Sequence, residues 1–177
     1  KLNLKVGDHI LEVGCGWGGF MEYAARQGVK VTGVTISKEQ YEFSKKRLSQ
    51  YEGIAEVRLQ DYREITGEYS QIVSIEMFEA LGSEYWKKYF KILHSILKPG
   101  GKMIIQTITI NNNDYSSYRR CSDFIQQYIF PGGLLPSPDI FKSTAVRQGF
   151  KYVGDFEFGL DYGLTLKRWE ENFTRVL

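Results

Sequence analysis

The chain has 177 residues, with 23 Lys+Arg against 21 Asp+Glu for a formal net charge of +2. That near balance excludes a partner held mainly by charge, such as duplex DNA. The length suits one domain with a sizeable core, and 42% hydrophobic with 25% charged residues excludes a disordered chain. Eighteen glycines and an aromatic content of 15%, made of 12 Tyr, 11 Phe and 3 Trp, are the two unusual counts. Cys15 and Cys121 stand far apart, outside any CxxC or His/Cys cluster. Neither a disulfide framework nor a metal site is expected from them, and both read as structural residues in a reducing cytosol. No apolar run approaches the ~20 residues of a membrane-spanning helix, and the N-terminus lacks the apolar stretch of a signal peptide.

In chain order, short apolar runs alternate with longer amphipathic ones, the pattern of βαβ units and a mostly parallel sheet covered on both faces. Strands are expected at 9–13, 29–35, 55–59, 71–75, 102–110 and 152–158. Between the second and third, Ser37 and Gln40 make a capping box, followed by Tyr41, Ser44, Leu48 and Tyr51 on one helix face. From Ser83 a second helix turns Trp86, Tyr89, Phe90, Leu93, Ile96 and Leu97 inward. Its lysines and His94 face water, and Pro99-Gly100-Gly101 ends it. Residues 111–150 contain no strand pattern but carry Tyr115, Tyr118, Phe124, Tyr128, Phe130 and Phe141 around the loop FPGGLLPSP. A long insert of this kind reads as a lid or channel wall. A last helix is expected from about Leu164.

The strongest local signal is Glu12-Val13-Gly14-Cys15-Gly16-Trp17-Gly18-Gly19, where the first strand meets the first helix. Glycines here allow a tight turn and close approach of a ligand to the backbone and to a helix N-terminus. A dinucleotide fingerprint would need G-x-G-x-x-G and an acidic residue about 20 positions on. This chain has G-x-G-x-G-G instead, and its second strand ends in Thr35-Ile36-Ser37. Further candidates stand at the carboxyl ends of the next strands, where open α/β sheets bind ligands: Thr35, Ser37 and Gln40, then Asp61 and Tyr62, then Glu76 and Glu79. Each has a plainer reading. Gln40 could cap its helix, Asp61 could make a turn, Tyr62 could be core, and one of the two glutamates could cap the helix that starts near Ser83. A carboxylate near the sheet is costly to bury unless it is paired or useful.

The segments LEVGCGWGG, GVTISKEQ, LQDYR, IVSIEMFEALG, DFIQQYIFPGGLLPS and FEFGLDYGLTLKRWEENF, in that order, resemble the catalytic domain of the cyclopropane-fatty-acyl-phospholipid synthase family, which includes the mycolic acid cyclopropane synthases. The resemblance spans essentially the whole chain. It implies a Rossmann-like class I methyltransferase fold and methyl transfer from S-adenosylmethionine to the cis double bond of an unsaturated phospholipid acyl chain. A bound bicarbonate would then remove a proton so that a cyclopropane closes. It assigns Glu12, Gly14, Cys15, Gly16, Thr35, Ser37, Gln40, Asp61, Tyr62 and Glu76 to the cofactor, with adenine at Asp61 and Tyr62. It assigns Glu79, Tyr162, Gln106 and the backbone of Ile108 to the bicarbonate and the chemistry.

Two positions depart from the best-known members, which carry His in place of Gln106 and of Ala80. Gln106 can hydrogen-bond an anion but cannot accept a proton near neutral pH, so methyl- or methylene-branched lipid is an alternative product, and N-methylation of a small amine a further one. The resemblance also implies an N-terminal segment and a last strand outside the chain. Phe124, Tyr128, Phe130, Leu134 and Leu135 are expected to line an acyl channel. Arg119 and Arg120 read as a solvated pair, or as a phosphate contact in the alternative. The expected setting is a cytoplasmic protein in peripheral contact with a membrane.

Overall fold

The computed structural model describes residues 2–122 and 124–176. β1 (His9–Val13) leads through α1 (Gly19–Arg26) to β2 (Lys30–Thr35), and α2 (Lys38–Arg47) leads to β3 (Ala55–Leu59). Next, β4 (Tyr69–Ile75) passes through α3 (Ser83–Ile96) to β5 (Leu97–Gln106). The five strands form one all-parallel sheet in the order β3-β2-β1-β4-β5. The order reverses between β1 and β4, and a crevice opens beyond the carboxyl ends of the strands at such a point.

Both faces of the sheet are covered, as the apolar runs predict. Leu11, Val13 and Ile72 pack against α3 on one face with Phe78, Tyr89, Phe90 and Leu93. Ile10, Val31 and Val73 pack on the other with Met21, Ala24 and Leu48. Alternation along a strand, Ile10 to one side and Leu11 to the other, is the period of two that serves two helical layers. Gly33 on β2 is part of this fit, because a Cβ there would overlap Met21 and Cys15. Phe78 is the hub of the first cluster, with ring centroids 5.0–5.6 Å from Trp86, Tyr89, Phe90 and Phe141.

Three expectations need correction. The fifth strand begins at Leu97 rather than 102 and ends at Gln106 rather than 110. Its early part holds Pro99-Gly100-Gly101 in an irregularity of register opposite Tyr69 and Gln71. Gly101 permits it, since a Cβ would lie 2.6 Å from the Ser70 carbonyl oxygen. Beyond Gln106 the backbone leaves the ladder: the Ile108 N–H donates to Glu79 and the Ile110 N–H to the Pro136 carbonyl. Residues 152–158 are not a strand, and among the described residues they join no ladder. Lys142 holds this segment to the next helical layer instead, 3.0 Å from Asp155 and over the ring of Tyr152.

Within 111–150 lie the short α4 (Tyr115–Tyr118), a wide helical turn at Ile125–Ile129, and α5 (Pro138–Arg147), capped by Ser137. No described residue of 111–150 lies in a strand, as expected. However, α5 belongs to the core layer, with Phe141 against Phe78 and Phe90. The last helix, α6 (Gly159–Thr174), starts one turn earlier than expected.

Candidate active site

The glycine loop is shaped by close approach. Gly14, Gly16 and Gly18 have φ of 77°, 52° and 76°, a left-handed conformation that glycine tolerates best. A Cβ on Gly14 would lie 2.7 Å from Met77, so β1 and the segment after β4 meet at this residue. Around Gly16 there is open space within 4 Å of where a Cβ would stand. The Gly14 and Cys15 N–H groups donate to the Val34 carbonyl, and the Ser44 hydroxyl donates to the Gly16 carbonyl. The loop is therefore fixed before any ligand arrives.

Glu12 ends β1 with only 2% of its surface exposed. Burial pushes its carboxyl up to about 8, against a bond from the Met21 backbone, and its Oε2 has no partner. An orphaned acceptor beside a glycine cradle suits a ligand bearing donors, which fits the cofactor assignment. The Cys15 side chain is buried in the second core cluster, and burial pushes its thiol up to about 12.

After β2, the Thr35 hydroxyl donates to Gln40 Oε1 at 2.7 Å, while Ser37 accepts from the Gln40 N–H. Only half of the expected capping box forms, because the Gln40 side chain is turned to Thr35. After β3 the plainer readings describe the geometry. Asp61 caps a short turn and pairs with Arg63 at 2.6 Å, which holds its carboxyl below the usual range. Tyr62 is 8% exposed with its ring against Tyr89.

The ends of β4 and β5 and the start of α6 bring the remaining candidates together. Glu76 has φ 52°, one of two non-glycine residues with positive φ among the described residues. Its N–H donates to the Gln106 carbonyl, and its Oε1 accepts both the Gln106 amide at 2.8 Å and the Tyr162 hydroxyl at 2.7 Å. That bond and burial push the Tyr162 phenol up to about 12, so it stays protonated. Glu79 Oε1 accepts the Ile108 N–H at 2.5 Å, and its Oε2 is buried without a partner. Neither glutamate caps α3, whose N-cap is Gly82. The Glu76 side chain thus meets Gln106 and Tyr162. Sequence reasoning missed this pairing because the three residues lie far apart along the chain.

Glu76, Gln106, Phe158, Asp161, Tyr162, Thr165 and Trp169 line an open pocket of about 260 Å³. The FPGG loop packs on the Glu79 backbone: a Cβ on Gly133 would lie 2.5 Å from the Glu79 carbonyl oxygen. Phe124, Tyr128 and Phe130 are more than half exposed, and Leu134 and Leu135 are partly buried. Arg119, Arg120 and His94 are exposed, as is Cys121, whereas Cys15 is buried. Among the described residues no group of acidic, His and Cys side chains could hold a metal.

The family model for mycolic acid cyclopropane synthetase matches residues 1–177. The chain is 38% identical over 173 residues to the tuberculostearic acid methyltransferase UfaA1 of Mycobacterium tuberculosis, covering 96% of the chain and 40% of that protein. It is also 38% identical over 175 residues to the cyclopropane-fatty-acyl-phospholipid synthase of Escherichia coli, covering 98% of the chain and 44% of that protein. The chain therefore spans less than half the length of these relatives. The solved cyclopropane synthase MmaA2 of M. tuberculosis superposes with a TM-score of 0.88 at 28% identity, over 98% of the chain and 65% of that structure. Sheet order, glycine loop, carboxylate cluster and these likenesses agree, and the chain belongs to the mycolic acid cyclopropane synthetase family of Rossmann-like class I methyltransferases.

Proposed function

We propose that the protein transfers a methyl group from S-adenosylmethionine to the cis double bond of an unsaturated phospholipid acyl chain, giving a cyclopropane. The observation that carries this reading is the convergence of Glu76, Glu79, Gln106, Ile108 and Tyr162 beside the loop that Met77 closes against Gly14. When bound, the cofactor supplies an electrophilic methyl on a sulfonium. Gly14, Cys15 and Gly16 would hold it through backbone, Glu12 through its unpaired oxygen, and Thr35, Ser37 and Gln40 on the β2 side. Asp61 and Tyr62 would meet the adenine. An alkene methylated at one carbon carries positive charge at the other. The chain's own task is to keep water from that cation and to take a proton from it.

A bicarbonate base does not fit this chain. An anion needs donors, and the Ile108 N–H is committed to Glu79 while the Gln106 amide and Tyr162 hydroxyl are committed to Glu76. It would also face the Glu76 carboxylate, which repels it.

The exposed aromatics of 124–130 and the apolar residues of α6 supply walls for an acyl chain as 111–150 closes over the pocket. We read the phospholipid as met at a membrane surface by a cytoplasmic protein in peripheral contact. No described helix is long and apolar enough to cross a membrane. A branched product is the second reading, favoured by 38% identity to a protein named a tuberculostearic acid methyltransferase and by Gln106 in the site.

The test incubates full-length protein with methyl-labelled S-adenosylmethionine and vesicles of cis-unsaturated phospholipid, then analyses the released acyl chains. Label in a ring is expected. Label in a branch would replace the product, and label only in an added small amine would overturn the reading. Glu79→Ala is expected to reduce lipid labelling by about 100-fold or more; full activity would remove Glu79 from the chemistry.

A further inference from the structure

We propose that Glu76 is the base that takes the proton from the transferred methyl group, doing within the chain what a bound anion would otherwise do. The inference rests on the reading of methyl transfer to a double bond given above.

Two residues from separate elements, Gln106 at the end of β5 and Tyr162 in α6, each direct a donor to Glu76 Oε1, at 2.8 Å and 2.7 Å. A small anionic base would need the same two donors, so the carboxylate already occupies its place. Both bonds fall on one oxygen. Oε2 keeps its lone pairs on a side chain that lines the 260 Å³ pocket with Tyr162 and Trp169. Glu79 is the competing carboxylate, but it is turned the other way. It holds the Ile108 N–H, its second oxygen is buried, and it does not line this pocket. Gln106 has no proton-accepting nitrogen, and Tyr162 keeps its proton.

The backbone points the same way. Glu76 adopts φ 52° where glycine would do so without strain. Strained residues of this kind persist where the surrounding structure holds them and cluster at functional sites. The backbone N–H of Glu76 is held by the Gln106 carbonyl and its side chain by Gln106 and Tyr162, so a specific side chain is being presented at a position that penalises having one.

The step balances. With the methyl attached to one former alkene carbon and positive charge on the other, a C–H bond of the new methyl breaks. Its electron pair bonds to the cationic carbon and closes the ring, and the proton passes to the Glu76 carboxylate. The resulting acid returns the proton to water at the open pocket. One methyl cation equivalent enters the lipid and one proton leaves it.

The experiment measures lipid cyclopropanation by full-length protein in carbon-dioxide-free buffer, with and without added bicarbonate. The wild-type rate is expected to be the same in both. Glu76→Gln preserves an oxygen acceptor for Gln106 and Tyr162 but cannot take a proton, and is expected to lose about 100-fold or more of product formation. Glu76→Gly relaxes the backbone and frees both donors, so its activity should be low without bicarbonate and should rise when bicarbonate is added, a response that a merely structural role would not produce. A wild-type rate that increases several-fold with bicarbonate overturns the inference. So does Glu76→Gln at the wild-type rate, or Glu76→Gly fully active without bicarbonate. Absence of label in lipid under every condition is a different result and removes the underlying reaction along with the base.

Discussion

From β1 to β5 the candidate residues hang on buried strands: Glu12 is fixed by the strand that carries Ile10, Leu11 and Val13, and Gly14 and Cys15 are tied to Val34. Beyond Gln106 the opposite holds. Residues 124–130 and α6 expose Phe124, Tyr128, Phe130, Leu160, Leu164, Trp169 and Phe173 by more than half, and Tyr162 alone in α6 is partly buried. The difference separates two tasks. On the function proposed, a cofactor of fixed shape rewards a loop formed in advance, whereas a long flexible acyl chain would be enclosed by elements that can close around it.

Substitutions can break this contrast, and the largest effect is expected in the sheet half. Phe78→Ala removes the ring that touches four other aromatics and should cost about 3–5 kcal/mol in urea unfolding. Phe130→Ala in the exposed half should stay within about 0.5 kcal/mol. Equal losses at the two sites would mean that the insert is packed like the core.

Glu12 tests the buried end of β1 through pH. Its carboxyl is raised from 4.5 to about 8 in the folded protein, so the native state binds the proton more tightly than the unfolded chain. Stability from this group is complete below about 4.5 and is lost as pH rises toward about 8. Thermal unfolding of Glu12→Gln should therefore show a flatter pH profile across that window and a gain above it. An unchanged profile would place the carboxyl in water.

Gly14→Ala puts a Cβ at φ 77° and against Met77, and should destabilise by about 1–3 kcal/mol while weakening S-adenosylhomocysteine binding in titration calorimetry. Unchanged binding would show that the cofactor does not depend on this loop. A smaller effect than at Gly14 is expected for Tyr162→Phe, which deletes the hydroxyl bond to Glu76. A loss of about 0.5–1.5 kcal/mol should appear as faster hydrogen exchange in α6 with little change in the global melting temperature. Unchanged exchange would mean that other contacts dock this helix.

Much of this was legible from residue order. Continuous apolar runs located all five strands, because a strand buried on both faces has no polar side to display. The glycine spacing located the tight turn between β1 and α1, because only glycine tolerates those three dihedrals without strain. The period of α3 identified Trp86, Tyr89, Phe90 and Leu93 as its buried face. The errors came where local pattern and tertiary partner disagree. Residues 152–158 have the composition of a strand, but a strand needs a neighbouring edge, and the segment is held by Lys142 of α5 instead. Residues 107–110 continue an apolar run, yet their N–H groups are drawn away by Glu79 and Pro136.

The sequence by itself determined the parallel sheet, the glycine loop and the family, since these depend on periodicity, on backbone freedom at single residues and on motifs read in order. The tertiary structure alone decided which groups meet Glu76. Gln106 and Tyr162 lie 30 and 86 positions away from it. Only the parallel register of β4 with β5 and the placement of α6 over their ends bring the amide and the hydroxyl to one carboxylate oxygen. Hydrogen bonds act over about 3 Å of space, and distance along the chain does not reveal which groups will be that close.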